Sequence, residues 1–521
     1  MIFRSSYPDI KIPQVPLTQL VLRHAERLAD KPAFIDAASR RQLTYGQLAQ
    51  DIGRAAAGFR RHGFRKGDVL GILSPNVPEY AVAFHAVATL GGICTTINPL
   101  STPDEIRRQL VDSRARYLLT LSPLLANAQA GAQGTSVESL FVFDEAPGAV
   151  PFAELIDHDT SVTQLPVDGY NDLIALPYSS GTTGVAKGVM ITPHAIAANL
   201  CQVEEVGFFE ESDVVISVLP FFHIYGLTLT LNAGPYFGCT VVTMMRFELE
   251  PFLAALQAFR VTCAPLVPPI VLALAKHPLV ERFDLSSLRV IFCGAAPLGG
   301  SLQRACEERL KVPVRQGFGM TELAGASYVV AQNATRIGSV GVPLPSCETR
   351  IVDIESGRDL GTGDEGELWI RSPTMMRGYL NKPDATAATL TSDGWLKTGD
   401  IGYIDEDGFV FIIDRLKELI KYNAYQVAPA ELEAVLVTHP AVADAAVIGS
   451  PDAECGEVPK AFVVLKGEVT GDELMAHVAA RVAPYKKIRR IEFIDAIPKS
   501  PSGKILRRVL IERERTARSS S

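Results

Sequence analysis

The chain has 521 residues, 47% hydrophobic and 21% charged, which describes an ordinary soluble globular protein too long for a single core. With 50 basic against 58 acidic residues the net charge is -8, so no overall basic field attracts nucleic acid or an anionic membrane. Its 8 cysteines are scattered without a CxxC pair and several sit in apolar runs, so they read as buried reduced thiols rather than disulfides or a zinc site.

The N-terminal segment lacks the apolar core of a signal peptide, and no apolar run reaches the ~18 residues that cross a bilayer. The C-terminal serines are not the peroxisomal Ser-Lys-Leu address, and the expected location is the cytoplasm. Leu17, Leu20, Val21 and Leu28 have helical spacing. Strand-like runs at 69–73, 94–97 and 117–121 alternate with helix-like segments. The same rhythm resumes at 172–176, 214–219, 240–245, 261–267 and 289–293, and predicts two parallel sheets covered by helices. After about 340 the runs 348–353, 366–370 and 408–413, with Gly and Asp turns, predict a small β-rich subdomain. Near 415 the texture changes again, to a helix at 429–436, strands at 443–447 and 460–465, and a helix at 471–482. The expected fold is therefore α/β. A large N-terminal domain spans 1–413, its β-rich subdomain about 340–413, and a small mobile α+β domain spans 414–521 with a hinge at Asp414.

Chemistry concentrates in a few dense motifs. Tyr178–Gly188 packs hydroxyls, glycines and a lysine directly after an apolar run. Gly181 and Gly184 let backbone N–H groups face an anion, Ser179, Ser180, Thr182 and Thr183 add hydroxyl donors, and Lys187 adds charge. Two residues separate Gly184 from Lys187, so this is not a Walker loop, but a nucleotide polyphosphate suits it. Gly294–Gly299 follows a strand and suits a flat ligand near the backbone. In Gln316–Glu322, Thr321 can bond a phosphate oxygen and Glu322 can hold Mg²⁺, the alternative being an N-capping threonine. Gly317 and Gly319 do not complete a dinucleotide fingerprint, because Glu322 stands at the third glycine position. Asp400 sits at a turn where it can take ribose hydroxyls or bond its own backbone. Lys504 ends a Ser/Gly/Pro loop, where a lysine alone carries no signal.

Together these motifs resemble the adenylate-forming superfamily of acyl-CoA synthetases, adenylation domains and luciferases. Leu176–Gly184, Pro220–Gly226 and Gln426–Glu431 look most like 4-coumarate:CoA ligases and their relatives. The resemblance implies a two-step reaction: a carboxylate attacks the α-phosphate of Mg-ATP to give acyl-AMP and pyrophosphate, and the CoA thiol then displaces AMP. It implies that Lys504 bridges carboxylate and phosphate, that the 179–187 loop holds the outer phosphates, and that Thr321 and Glu322 serve the α-phosphate and Mg²⁺. Asp400 and Arg415 take the ribose. Gly294, Ala295 and Phe318 border adenine, with Gln316, Gly317, Gly319, Ile412 and Gln426 as further nucleotide-binding positions. For thioester formation the small domain swings about Asp414 and brings in Lys421 and Gln426.

One departure concerns that second step. Relatives usually carry Lys-Gly where this chain has Asn423-Ala424, which makes CoA transfer less secure than adenylation and leaves a carrier-protein acceptor open. By the same resemblance the acyl pocket is lined by His223, Ile224, Tyr225, Gly294, Gly319 and Gly325. The three glycines are expected to leave a slot for a planar acid, widened by Gly325-Ala326 where phenylpropanoid relatives have Pro-Val. The motif 221–226 holds no acidic residue to pair an α-ammonium group, which argues against an amino acid. An aryl or cinnamic-type acid is the first expectation, a medium- or long-chain fatty acid the second, and a non-catalytic nucleotide-binding protein the third.

Overall fold

Val69–Leu73 is apolar and buried at every position, the mark of a strand covered on both faces. In the computed structural model, which describes residues 1–156, 158–179, 186–330, 336–422, 425–452, 455–501 and 503–519, with backbone alone at 425, 426, 456, 518 and 519, it lies in a 5-stranded parallel sheet. Its neighbours are Ile93–Ile97 and Tyr117–Thr120, and Ser139–Val142 and Val150–Pro151 extend the sheet. Helices start where the sequence caps them. Thr44 and Gln47 form a capping box for Tyr45–Arg61, and Thr102 and Glu105 do so for Pro103–Ser113.

A 9-stranded sheet carries most of the predicted site. Its centre is parallel, in the order Val314–Met320, Val290–Cys293, Cys263–Leu266, Val214–Ser217, Thr240–Thr243 and Pro32–Asp36. Antiparallel strands close both edges: Gly325–Val329 and Val342–Pro343 on one side, Gln42–Thr44 on the other. The two helix-covered sheets match the expectation. The apolar run 172–176 is no strand of either sheet; Ala175 instead bridges Cys94 and Ile191, splicing the first sheet to the segment beyond the glycine loop. Only Leu17–Val21 of the first helical pattern is α-helix, because the chain then tightens into turns such as Ala25 N to Leu22 O at 2.9 Å.

The β-rich part is a 5-stranded antiparallel sheet of Phe3–Arg4, Glu348–Val352, Gly366–Arg371, Leu396–Ile404 and Val410–Arg415. Beyond Arg415 the strands Ile420–Tyr422, Tyr425–Val427, Gly456–Leu465, Val442–Asp452 and Arg490–Phe493 form the last sheet. It packs against Pro429–Leu436 and Gly471–Ala479 through Leu432, Leu436, Val447, Val463, Leu474 and Val478. This unit rests on the larger one: Lys276 Nζ donates to Val437 O at 2.8 Å, and a Cβ on Gly299 would lie 3.3 Å from the Ala434 methyl. Among the described residues no helix is long and apolar enough to cross a membrane.

Candidate active site

The glycine loop is held at both ends by a ribbon. Tyr178–Ser179 pairs antiparallel with Lys187–Gly188, placing Lys187 opposite Ser179. Ser180, Gly181, Thr182, Thr183 and Gly184 lie outside the described residues. The ribbon is splinted on one side by Leu176 N to Cys94 O and Thr95 Oγ1 to Leu176 O, both 2.9 Å. On the other side Met190 N donates to Gly378 O at 3.0 Å and Leu380 N to Gly188 O at 2.8 Å.

Glu322 stands on the short turn Thr321–Leu323 that ends the strand Val314–Met320. It is buried, and its Oε1 accepts from Ser179 Oγ at 3.0 Å and from the Tyr379 hydroxyl at 2.9 Å. Among the described residues nothing donates to Oε2. This is a carboxylate with one oxygen fixed and the other open, as Mg²⁺ binding through one carboxylate plus phosphates and water requires. No group of three or more His, Cys, Asp or Glu that could hold a metal forms among the described residues. The N-cap of the turn is Met320, without a side-chain cap bond; Thr321 is therefore not the capping threonine its sequence position allowed. Among the described residues its hydroxyl makes no hydrogen bond.

Across the site, Asp400 and Arg415 are cross-strand partners, with Arg415 Nε 3.3 Å from Asp400 Oδ1. Asp400 Oδ2 is buried with no hydrogen-bond partner among the described residues, an acceptor suited to hydroxyls of a ligand. Burial pushes its pKa up to about 6, while the charges of Arg415 and Lys504 hold it down. Lys504 sits at the tip of a loop closed by Ser500 N to Lys504 O and Gly503 N to Ser500 O, both 2.8 Å. Gly503 has φ +78°, and a Cβ there would approach Val267 Cγ2 to 3.1 Å and Pro269 Cδ to 3.4 Å, so the loop tip is seated where the helix Pro268–Lys276 begins. Burial and Arg415 push the ammonium's pKa down; Glu322, Asp400 and Glu418 pull it up. The His223 imidazole is driven to about 3 by burial and by Lys504, so it is neutral near pH 7. Lys504, Glu322, Asp400, Arg415 and His223 thus share one electrostatic neighbourhood.

His223 accepts from Tyr225 N at 3.3 Å through Nδ1 and starts a helical turn that runs into a π-helix at Leu227–Asn232. Ile224 is buried, and a Cβ on Gly294 would meet the Tyr225 ring at 3.2 Å. The other two pocket glycines have a different reason from the one expected. A Cβ at Gly319 would fall 2.1 Å from Gly325 O across a bulged strand pair, and one at Gly325 would fall 2.4 Å from Asn199 Oδ1. Strand packing is by itself a sufficient reason for both glycines. Of the three, only Gly294 points its missing Cβ at a pocket side chain.

The remaining predicted positions divide. Ala295 holds φ +69°, a conformation an L-residue adopts only when its surroundings fix it. Gly317 would place a Cβ 3.2 Å from Tyr328 O, and Phe318 stacks on Tyr328 with ring centroids 5.5 Å apart. The Gln316 amide donates to Leu298 O at 3.1 Å and Gln303 Oε1 at 3.0 Å, so it braces the 294–299 turn. Ile412 lies opposite Gly402 on the Asp400 sheet. Lys421 is exposed on Ile420–Tyr422 and forms no ion pair with a site residue among the described residues. Asn423, Ala424 and the Gln426 side chain lie outside the described residues.

Sequence reasoning missed Tyr379, the Val267–Pro269 seat, and the brace behind the Gly325 strand. In that brace Asn199 Nδ2 donates to Ala326 O and Thr228 Oγ1 to Ala324 O, both at 2.7 Å. A tyrosine after glycine at 378 could have been noticed, but only the fold shows what it touches.

Comparison with known proteins places the whole chain in one family. The model of the AMP-binding enzyme family matches residues 21–380, and that of the AMP-binding enzyme C-terminal domain matches 431–504. The chain is 41% identical over 528 residues to 4-coumarate-CoA ligase 1 of Narcissus pseudonarcissus, covering 98% of this chain and 96% of the relative. It is 42% identical to 4-coumarate--CoA ligase of Pinus taeda, with 98% and 97% covered. Among solved structures, the anthranilate CoA ligase AuaEII in complex with anthranoyl-AMP superposes with a TM-score of 0.90 at 27% identity, covering 98% of this chain and 99% of that one. ATP-bound MatB from Rhodopseudomonas palustris gives 0.86 at 27%, with 95% and 98% covered.

Proposed function

This chain belongs to the AMP-binding enzyme family and is an AMP-forming acid–CoA ligase, and we propose that its acid is an aryl or cinnamic-type carboxylate. Three features support the substrate reading: full-length similarity to 4-coumarate–CoA ligases, a wall of Tyr225 and neutral His223, and a solved neighbour carrying an anthranoyl adenylate. One observation carries the mechanism: the Lys504 ammonium lies in the field of Glu322, Asp400 and Arg415.

In the first step a carboxylate oxygen attacks the α-phosphorus of ATP, the bond to the bridging oxygen breaks, and pyrophosphate leaves with its electron pair. Two anions meet, so the site must supply fixed positive charge. At ~4 Å and an effective dielectric near 20, one ammonium offsets about 4 kcal/mol of that repulsion. We assign this role to Lys504, held on a seated loop and therefore pre-positioned. Lys187 faces the outer phosphates, the Thr321 hydroxyl the α-phosphate, Asp400 and Arg415 the ribose, and Gly294, Ala295 and Phe318 the base. A Mg²⁺ ion at Glu322 Oε2 would neutralise phosphate charge.

CoA attack on the adenylate needs Lys504 out of the way. Asp414 is the proposed hinge, since it ties the last strand of the β-rich sheet to the next unit: its Oδ1 accepts from Arg415 N at 2.7 Å and its Oδ2 from Ala430 N at 2.9 Å. Rotation there would exchange the Lys504 loop for the segment bearing Lys421 and Gln426. The test is pyrophosphate release with ATP and a panel of acids. Dependence on 4-coumarate, cinnamate or benzoate is expected; release driven by alkyl acids alone would move the assignment to fatty acids.

A further inference from the structure

We propose that Tyr379 is a positioning residue of the adenylation site, its hydroxyl fixing the Glu322 carboxylate and its ring seating the Lys187 ammonium. The proposal rests on the AMP-forming reading above. Tyr379 is buried at 6% exposure, its hydroxyl donates to Glu322 Oε1 at 2.9 Å, and Lys187 Nζ lies 4.0 Å from its ring centroid. One side chain therefore touches both the metal-facing carboxylate and the phosphate-facing cation. Because it shares Oε1 with Ser179, it turns the other carboxylate oxygen outward.

The other buried tyrosines place their hydroxyls variously: Tyr328 on Thr349 Oγ1 at 2.9 Å, Tyr236 on the Glu204 carboxylate with Arg23 3.7 Å from its ring centroid, and Tyr80 on no partner among the described residues. Tyr45 bonds Cys239 O at 2.7 Å and Tyr117 bonds His62 O at 3.3 Å. Tyr379 differs in directing both its polar atom and its π face at groups that meet the nucleotide. Its backbone is fixed to the phosphate ribbon: Tyr379 bridges Val189, and its N–H donates to Thr386 Oγ1 at 2.9 Å. A shift of the ribbon therefore carries Tyr379, Lys187 and the Glu322 carboxylate with it, which keeps metal and polyphosphate in one register.

The two contacts separate by substitution. Tyr379→Phe keeps the ring and loses the hydroxyl; Tyr379→Leu loses both. Titration calorimetry of the full chain with ATP is compared in excess Mg²⁺ and in EDTA, beside acid KM and kcat for pyrophosphate release. Phe is expected to raise the Kd for MgATP roughly tenfold, the size of one hydrogen bond to a charged group, and to lower kcat, with metal-free ATP binding and acid KM unchanged. Leu is expected in addition to weaken metal-free ATP binding roughly fivefold through the lost cation–π contact. Phe binding MgATP like the parent, or both variants losing ATP affinity equally with and without metal, would overturn the proposal. A parent enzyme that releases no pyrophosphate with any acid would instead sink the functional reading, while the binding comparison still decides on Tyr379.

Discussion

Gly503→Ala would probe the seat of the lysine loop with one methyl group. At φ +78° an alanine costs about 1 kcal/mol wherever the loop keeps its shape. The new Cβ would also lie 3.1 Å from Val267 Cγ2, 3.3 Å from Val267 Cβ and 3.4 Å from Pro269 Cδ, so either loop or helix start must give by a few tenths of an ångström. Overpacking of this kind costs about 1–3 kcal/mol, and only when the loop is docked. Backbone strain acts in both proposed arrangements and crowding in one, so a differential of about 1.4 kcal/mol is expected, a tenfold loss in adenylation. Pyrophosphate release measures the docked step, and single-turnover thiolysis of supplied acyl-AMP the other. Val267→Ala in the same background removes the nearest methyl and should restore part of the loss, as positive coupling in a double-mutant cycle. Equal losses in both half-reactions, or no coupling to Val267, would refute the seat.

Glu433, buried against Arg507 with Asp414 and Glu418 nearby, is pushed up to about 7 from 4.5, chiefly by burial. A carboxyl raised on folding stabilises most below its unfolded pKa, and that contribution, about 3 kcal/mol, fades as pH rises through about 7. Thermal midpoints between pH 5 and 8 should fall with rising pH, and Glu433→Gln should flatten that slope; an unchanged slope contradicts the assignment. Asp414→Ala removes the acceptor for Ala430 N at the start of Pro429–Leu436 and should cost about 1–2 kcal/mol of stability while raising KM for ATP through Arg415. Asp414→Asn keeps one of the two acceptors and sets an amide NH2 against the other N–H, so it should recover only one of the two effects. Asp400→Ala should raise KM for ATP about tenfold or more, because its Oδ2, without a hydrogen-bond partner among the described residues, is the acceptor offered to ribose, with the KM for the acid unmoved.

The sheets were legible because their strands are buried on both faces and read as unbroken apolar runs, as at Val69–Leu73 and Val290–Cys293. Phe3–Arg4 was not, since two residues carry no period and their partner Glu348–Val352 lies far along the chain. The 172–176 run misled for a related reason: its apolar residues are buried between two segments without joining either ladder. At the site, motif chemistry singled out Glu322 and Asp400 as candidates, because carboxylates among glycines seldom serve a core, whereas Lys504 gained its role only from the family resemblance. It gave Gly319 and Gly325 a pocket reason alone, whereas their missing side chains also serve packing against a neighbouring carbonyl and Asn199. Tyr379 escaped notice because an aromatic residue reads as core until its hydroxyl is seen on Glu322.

The central claim is that Lys504, carried by a docked loop, supplies the charge that lets two anions react. Its most direct test is Lys504→Ala assayed in separate half-reactions. Removing one such preorganised group costs about 3–4 kcal/mol in the transition state, so acyl-AMP formation should fall by about 10²–10³-fold while thiolysis of supplied acyl-AMP continues. Parallel loss of both half-reactions, or adenylation within a few-fold of the parent, would contradict it.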